Sequence, residues 1–116
     1  MYSKFSLAFA FVLATGSAAI AASTGEEIRA AVSDATISGN MDSSGAYAEF
    51  YQADGTIKGK DYTGSWTIEG DAMCFVYQGT PKDCYEVEVN GDQVRWLKEG
   101  KSLGTGTIVK GNANSF

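Results

Sequence analysis

The chain has no histidine, a single proline and only two cysteines among its 116 residues. The missing histidine removes the usual general base at neutral pH and an ordinary ligand of zinc sites. Basic residues are also scarce, because nine lysines and arginines stand against fourteen acidic residues and give a net charge of −5. Binding to a phosphate backbone needs clustered Lys and Arg, so the composition argues against a nucleic-acid-binding protein.

The first 22 residues have the three parts of an export signal: a basic start at Lys4, an apolar run, and small residues before a cut after Ala21 or Ala22. The apolar run is much shorter than the roughly 20 residues of a membrane-spanning helix, so no membrane span is predicted. We expect the mature protein to be periplasmic or secreted. Loss of Lys4 leaves eight basic and fourteen acidic residues, a net charge of −6.

Cys74 and Cys84 can form only one bridge within the chain, and an exported protein meets the oxidising conditions in which a bridge persists. A metal-binding pair and a redox-active pair are the alternatives. The absence of histidine and of Cys-x-x-Cys spacing argues against both. We predict a structural disulfide whose loop of about ten residues contributes roughly 3 kcal/mol or a little less.

The mature chain begins with a helical pattern. Ser23 and Thr24 each stand three residues before a glutamate, as the first residue of a capping box does. Ile28, Ala31 and Val32 then share one face, which must find a partner surface because so short a helix is unstable alone. The chain therefore divides into a signal peptide (1–22), an N-terminal helix (23–35), a β domain (36–111) and a C-terminal tail (112–116).

From Thr36 onward, short runs rich in Val, Ile, Thr and aromatics are cut by Gly, Asn and Asp every 8 to 12 residues or so, the texture of an antiparallel meander. Strands are predicted near 36–39, 46–52, 56–60, 63–69, 72–78, 83–89, 93–98 and 103–109. Glycine turns lie at four of the seven junctions between these strands, at residues 53–55, 69–71, 90–92 and 99–101. The fold class is mostly β: a small antiparallel meander barrel or half-barrel of seven or eight strands with a short N-terminal helix, and a two-sheet sandwich is the alternative.

Strand alternation assigns the faces. Phe75 and Tyr85 belong to the apolar side, whereas Cys74 and Cys84 point the other way, so the disulfide should pin a hairpin from outside the core. In the second strand, tyrosines at 47 and 51 flank Glu49 on one face and alternate with alanines and Phe50 on the other. One of these two sets should be exposed.

Aromatic residues are the main candidates for binding. A barrel lined with rings could hold an apolar ligand, or the rings could simply fill the core, or exposed tyrosines could contact a partner. No catalytic residue, metal site or cofactor is predicted, because most carboxylates neighbour turn glycines and serve turns and solvation. The candidate binding residues are Tyr47, Tyr51, Trp66, Tyr77 and Trp96.

The segments from Tyr51 to Thr56 and from Gly64 to Ile68, followed by the two cysteines, resemble a family of small periplasmic bacterial proteins of unknown function. The resemblance covers about residues 36–111, implies a lipocalin-like or half-barrel domain, and supplies no catalytic residues. The Gly64-x-Trp66 strand with its nearby disulfide is also similar to small periplasmic barrels that inhibit secreted metalloproteases. Those inhibitors use a free N-terminal trunk and more widely spaced cysteines, whereas this N-terminus is predicted to be helical.

Together these features predict a non-enzymatic exported binding module of the bacterial periplasm, whose partner is an unknown protein, an envelope component or a small apolar ligand. The alternative function is inhibition of an exported hydrolase, either a protease or a lysozyme. An enzyme that relies on carboxylates is a third hypothesis, disfavoured because no perturbing partner for a carboxylate can be named from the sequence.

Overall fold

The computed structural model describes residues 21–116 as one helix and eight strands that close into an antiparallel barrel in sequence order. The predicted barrel is confirmed, and its closure excludes the sandwich. The signal peptide predicted for residues 1–22 lies almost wholly outside the described residues and stays a prediction. The elements are α1 (Gly25–Val32), β1 (Ala35–Met41), β2 (Gly45–Tyr51), β3 (Thr56–Gly59), β4 (Tyr62–Glu69), β5 (Ala72–Tyr77), β6 (Asp83–Asn90), β7 (Gln93–Lys98) and β8 (Lys101–Lys110).

The barrel closes through a long ladder between its first and last strands. β1 pairs with β8 from Ala35 opposite Lys110 to Met41 opposite Gly104. The weakest seam is between β2 and β3, where the register joins only Phe50 to Lys58 and Tyr51 to Ile57. The first part of β2 therefore diverges from β3, and the wall is thin there. Tight turns elsewhere follow the sequence, with Gly70 and Gly91 each at φ 63°.

Helix α1 lies across one end of the barrel. It contacts β1, β4, β5, β6 and β8, which come from opposite sides of the ring. Ile28 and Val32 are both fully buried (0 % exposed) in the core. The predicted apolar stripe thus closes the barrel end that carries the turns after β2, β4 and β6.

Both ends of α1 are capped. Thr24 and Glu27 form the predicted capping box: the Thr24 hydroxyl accepts from the Glu27 backbone N–H at 3.2 Å, and the Glu27 carboxylate accepts from the Thr24 backbone N–H at 2.8 Å. Lys110 Nζ donates to the carbonyls of Ala30 (2.9 Å) and Ala31 (3.0 Å) at the other end. The helix is shorter than the 23–35 segment because β1 already begins at Ala35.

The chain terminus is anchored to the start of β1. The Thr36 hydroxyl donates to the Gly111 carbonyl at 2.7 Å and accepts from the Ala113 N–H at 2.9 Å. The Asn112 carboxamide also bonds to the backbone of Phe116. The residues assigned to a C-terminal tail are therefore tied to the helix end of the barrel.

The disulfide joins Cys74 and Cys84, which face each other across β5 and β6. Their strand neighbours Met73 and Phe75 are buried in the core, so the bridge lies on the outer side of the hairpin as alternation predicted. It pins the base of an exposed loop, residues 78–82, that projects from the end of the barrel opposite α1.

Removing the bridge should cost stability without changing the fold. We expect the double variant Cys74→Ala/Cys84→Ala to lose roughly 2–3 kcal/mol of unfolding free energy in urea, because the loop it closes is short. Wild-type protein reduced with a thiol is the matched control and should unfold at the same lower urea concentration. An oxidised wild type no more stable than the double variant would show that the bridge constrains nothing.

Candidate functional site

A cavity of about 1140 Å³ opens at the end of the barrel opposite α1. Its lining comes from β2, from the ends of β1 and β5, the starts of β4 and β6, Trp96 of β7, and the connections at the end of the barrel away from the helix. The eight-stranded barrel is thus filled by side chains at the helix end and hollow at the other. The cavity is lined by Met41, Ser44, Tyr47, Glu49, Tyr51, Asp61, Tyr62, Thr63, Phe75, Tyr77, Gln78, Thr80, Pro81, Lys82, Asp83, Tyr85 and Trp96.

Glu49 is the buried charged group of this cavity, and only 7 % of it is exposed. Tyr51 donates to Glu49 Oε1 at 2.6 Å, and Tyr62 donates to Oε2 at 2.6 Å. The Tyr77 hydroxyl lies 2.9 Å from both oxygens. A carboxylate is acceptor-only, whereas a protonated carboxyl would have to donate, so three hydroxyl donors match the charged form.

Alternation along β2 explains why the carboxylate is inside. Tyr47, Glu49 and Tyr51 point into the barrel, and Ala46, Ala48 and Phe50 point outward. This settles which of the two sets faces water and rules out the hypothesis of a tyrosine patch on the outer surface of β2. Alternate residues of a strand point to the same side. Glu49 therefore points into the barrel together with Tyr47 and Tyr51.

Two glycines face tyrosines on the neighbouring strands and leave room for the tyrosine rings to pack against the barrel wall. Gly59 pairs with Tyr62 across β3 and β4, and Gly64 pairs with Tyr77 across β4 and β5. A Cβ atom at Gly64 would come within 2.8 Å of the Tyr77 ring, and one at Gly59 would collide with the Tyr62 ring. Absence of a side chain at both positions lets the rings lie flat and brings their hydroxyls to Glu49.

A second hydrogen-bonded group fixes the opposite wall. Trp96 Nε1 donates to the Tyr47 hydroxyl at 2.7 Å, and that hydroxyl donates to the Thr105 carbonyl at 2.9 Å. Between the two walls, Phe75 packs edge-on against Trp96 and Tyr85, with ring centroids 5.6 and 5.8 Å apart. These contacts hold the aromatic lining in place without a ligand.

The tyrosine hydroxyls stay protonated over a wide pH range. Burial, and then the negative charge of Glu49, raise the pKa of Tyr51 and Tyr77 well above the ordinary value. Burial and hydrogen bonding to Glu49 raise the pKa of Tyr62 in the same direction, and burial raises those of Tyr47 and Tyr85. All five tyrosines of residues 21–116 therefore remain donors at physiological pH.

The rim of the cavity is acidic. Its carboxylates are Asp61 and Asp83, and its single basic residue, Lys82, is paired with Glu69 at 2.8 Å. Lys98 pairs with Asp83 at 2.6 Å and places its ammonium 4.5 Å from the centroid of the Tyr85 ring. Beside the cavity lining, the protein thus already holds one ammonium group against an aromatic ring.

Four of the five predicted binding residues meet in the cavity: Tyr47, Tyr51, Tyr77 and Trp96. Trp66 does not, because its indole N–H bonds to the Gln52 carbonyl and its ring lies near Arg29 of α1, at the closed end. Glu49, Tyr62 and Tyr85 also line the cavity and were not among the five predicted binding residues. The alternation of Tyr47, Glu49 and Tyr51 was the available signal, since any face that buries both tyrosines must bury the glutamate between them.

Glu69 and the two cysteines are the one group of potential metal ligands found within residues 21–116. The sulfur atoms of Cys74 and Cys84 are bonded to each other and provide no thiolate, so these three residues do not form a metal centre. Glu69 instead pairs with Lys82 and accepts from the Thr67 hydroxyl. Glu69 thus takes part in an exposed ion pair on the strand surface beside the disulfide.

Comparisons with protein-family models, with curated proteins and with solved structures found no match for this chain. The resemblance to the periplasmic family therefore depends on the residues quoted for it alone. Within residues 21–116, no helix has the length and apolar character needed to cross a membrane.

The tyrosines give a pH signature that can be measured. Their pKa values in the folded protein lie above the ordinary value of 10.0, so the unfolded chain releases its phenolic protons first. The stability of the fold is therefore full below pH 10 and falls as the pH rises beyond it. We expect phenolate absorbance at 295 nm to stay flat through pH 10 in the native mature protein and to rise only as the protein unfolds.

The protein unfolded in guanidinium is the control and should titrate near pH 10. Glu49→Gln should move the onset of ionisation of the native protein to lower pH, because it removes the negative charge beside Tyr62 and Tyr77. A native protein in which most tyrosines ionise near pH 10 would contradict the hydroxyl arrangement around Glu49.

Proposed function

We propose that this protein is a non-enzymatic binding protein of the bacterial periplasm that holds a small ligand in the open end of its barrel. One observation carries the proposal: a closed barrel is plugged by α1 at one end and opens at the other into a cavity of about 1140 Å³ walled by aromatic rings. Cavities of roughly 300–1,000 Å³ with mostly apolar walls and a few fixed polar groups are the usual form of a small-ligand site.

The polar groups of the cavity support binding over catalysis. Both oxygens of Glu49 are occupied by tyrosine hydroxyls, and Asp83 is paired with Lys98. The chain has no histidine and both cysteines are in the disulfide. Glu49 and Asp83 are therefore engaged by other groups and are not free bases beside a nucleophile, which favours a site that orients a ligand over one that transforms it.

Export is part of the proposal. The N-terminal signal pattern and the Cys74–Cys84 bridge both suit an oxidising compartment outside the cytoplasm. The similarity to small lipocalin-like periplasmic proteins agrees with a barrel that binds at its mouth, although a shared fold alone does not license a function.

Ligand entry can be tested with N-phenyl-1-naphthylamine, a neutral dye whose fluorescence rises in apolar sites. We expect the dye to bind the mature protein and to shift the NMR signals of Tyr47, Tyr85 and Trp96 while leaving those of α1 unchanged. Met41→Trp, which adds bulk to the cavity wall, should weaken binding at least tenfold. Val76→Trp, on the outer face, is the matched control and should change it less than twofold.

Native mass spectrometry of the protein isolated from the periplasm should also reveal a retained small molecule. Absence of dye binding together with an empty protein in the native spectrum would overturn the proposal. Equal effects of Met41→Trp and Val76→Trp would place the dye elsewhere and contradict a mouth site.

Inhibition of an exported hydrolase is the second candidate, favoured by one feature of the mouth. The loop of residues 78–82 is exposed throughout and is pinned at its base by the disulfide, as a rigid loop that enters an active-site cleft would be. The N-terminus does not suit a trunk mechanism, because Ser23 bonds to Val87 and Val89 of β6 and α1 is buried in the barrel end.

An inhibition panel of secreted proteases and lysozymes tests this second function. If it is correct, at least one enzyme should be inhibited by the wild type, and Pro81→Gly/Lys82→Ala in the exposed loop should weaken that inhibition at least tenfold. A panel in which no enzyme is inhibited at micromolar protein would remove the hypothesis, and the dye-binding result would be unaffected.

A further inference from the structure

We propose that the ligand of the barrel mouth carries a quaternary ammonium group, which lies among the aromatic rings and faces Glu49. This inference deepens the proposed small-ligand function and rests on it. It follows from three properties of the described residues. Glu49 carries a buried charge without a cationic partner, its carboxylate oxygens already accept hydrogen bonds from tyrosine hydroxyls, and the surrounding walls are aromatic.

The buried charge of Glu49 has no cationic partner among residues 21–116. The ion pairs of these residues join Lys82 to Glu69, Arg95 to Glu88 and Lys98 to Asp83, and none reaches Glu49. Tyrosine hydroxyls satisfy its hydrogen bonds but leave its charge uncompensated. Because a buried ion is costly unless it is paired, a cationic ligand would gain attraction here that a neutral molecule of the same shape would not.

The charges of the lining point the same way. Of the three acidic residues that line the cavity, Asp83 is paired with Lys98, whereas Glu49 and Asp61 are in none of the ion pairs of residues 21–116. The single base of the lining, Lys82, directs its ammonium to Glu69. An anionic ligand would therefore meet net repulsion at the mouth. A cation would be attracted both at the rim and at depth.

The hydrogen-bond state of Glu49 selects among cations. Each of its oxygens already lies within 2.9 Å of two tyrosine hydroxyls, so little acceptor capacity is left for further donors. A primary ammonium would lose the water that binds its three N–H groups without full replacement. A fully alkylated ammonium has no N–H to satisfy and keeps its charge.

The walls are those that a quaternary ammonium prefers. Tyr47, Phe75, Tyr77 and Trp96 line the same cavity as Glu49, as does Tyr85, whose ring already contacts Lys98. The faces of such rings attract cations within about 6 Å. The molecule already contains one example of the interaction, since the Lys98 ammonium lies 4.5 Å from the centroid of the Tyr85 ring with the Asp83 carboxylate beside it. The cavity would repeat this pairing of ring and carboxylate with a cation from outside the chain.

Three soluble probes separate charge from shape in the wild-type protein: choline, its neutral isostere 3,3-dimethyl-1-butanol, and protonated ethanolamine. By isothermal titration calorimetry at pH 7, we expect choline to bind at least tenfold more tightly than either of the others. Its N-methyl proton signals should move upfield on binding because of the ring currents of the cavity. This comparison needs no variant, so it holds whether or not a substitution at Glu49 folds.

Glu49→Gln should weaken choline binding at least tenfold and leave the binding of the neutral alcohol within twofold. Glu86→Gln, which removes a charge from the outer face of β6, is the matched control and should leave both unchanged. Cosedimentation with phosphatidylcholine vesicles distinguishes the two sources of the group: binding to vesicles as well as to choline would identify a lipid headgroup, and binding to choline alone a free cation.

Two results would overturn the inference while sparing the proposed function. One is binding of the dye at the mouth with no binding of choline. The other is an alcohol that binds as tightly as choline, which would identify an apolar site. If the dye and all three probes fail to bind and the native mass spectrum shows no retained small molecule, the proposed small-ligand function is overturned together with this inference.

Discussion

The pairing of β1 with β8 is the interaction on which the rest of the structure depends. Once the first and last strands are joined over residues 35–41, the sheet has an inside and two ends, and every inward side chain must fill the interior, line a cavity or be covered. Helix α1 covers one end, and Lys110, at the end of β8, caps its last turn. The last strand therefore both closes the barrel and holds α1 at the barrel end.

Closure also explains how a charged side chain comes to be buried. The outer face of β2 is weakly apolar, with two alanines and Phe50, whereas its inner face carries Tyr47, Glu49 and Tyr51. The strand keeps the tyrosines inside, and the glutamate goes with them. Its burial is tolerable because tyrosines from β2, β4 and β5 converge on it, and two of them reach it over glycines. The thin seam between β2 and β3 is bridged there by the Tyr62 side chain instead of by a strand ladder.

Local patterns were sufficient for most of the fold. Glycine turns marked four of the seven strand junctions, and the two possible capping boxes, at Ser23 and Thr24, located the start of the helix within one residue. Alternation put the cysteines on the outer side of the hairpin. Strand order followed because consecutive antiparallel strands pair. The extent to which side chains fill the barrel could not be predicted from the sequence. It depends on the orientations of the aromatic rings, which are set by contacts with residues far away in the chain. Tyr77 reaches Glu49 from 28 residues away, and Trp66 resembles the other aromatics in sequence yet lies at the closed end.

The two ends of the barrel differ in composition: the helix end contains the apolar core, and the mouth contains the polar groups of the proposed binding site. At the helix end, Ile28, Val32, Ile37, Ile57 and Met73 are fully buried and carry no polar side-chain atoms that need a hydrogen-bond partner. At the mouth, the inward groups are hydroxyls, an indole and a carboxylate already held by one another, and the exposed loop beside them is stapled by the disulfide. A ligand entering such a mouth meets groups that are in place before it arrives, so little of its binding free energy is lost to ordering the protein. The charge that those groups leave uncompensated is then what most distinguishes one ligand from another.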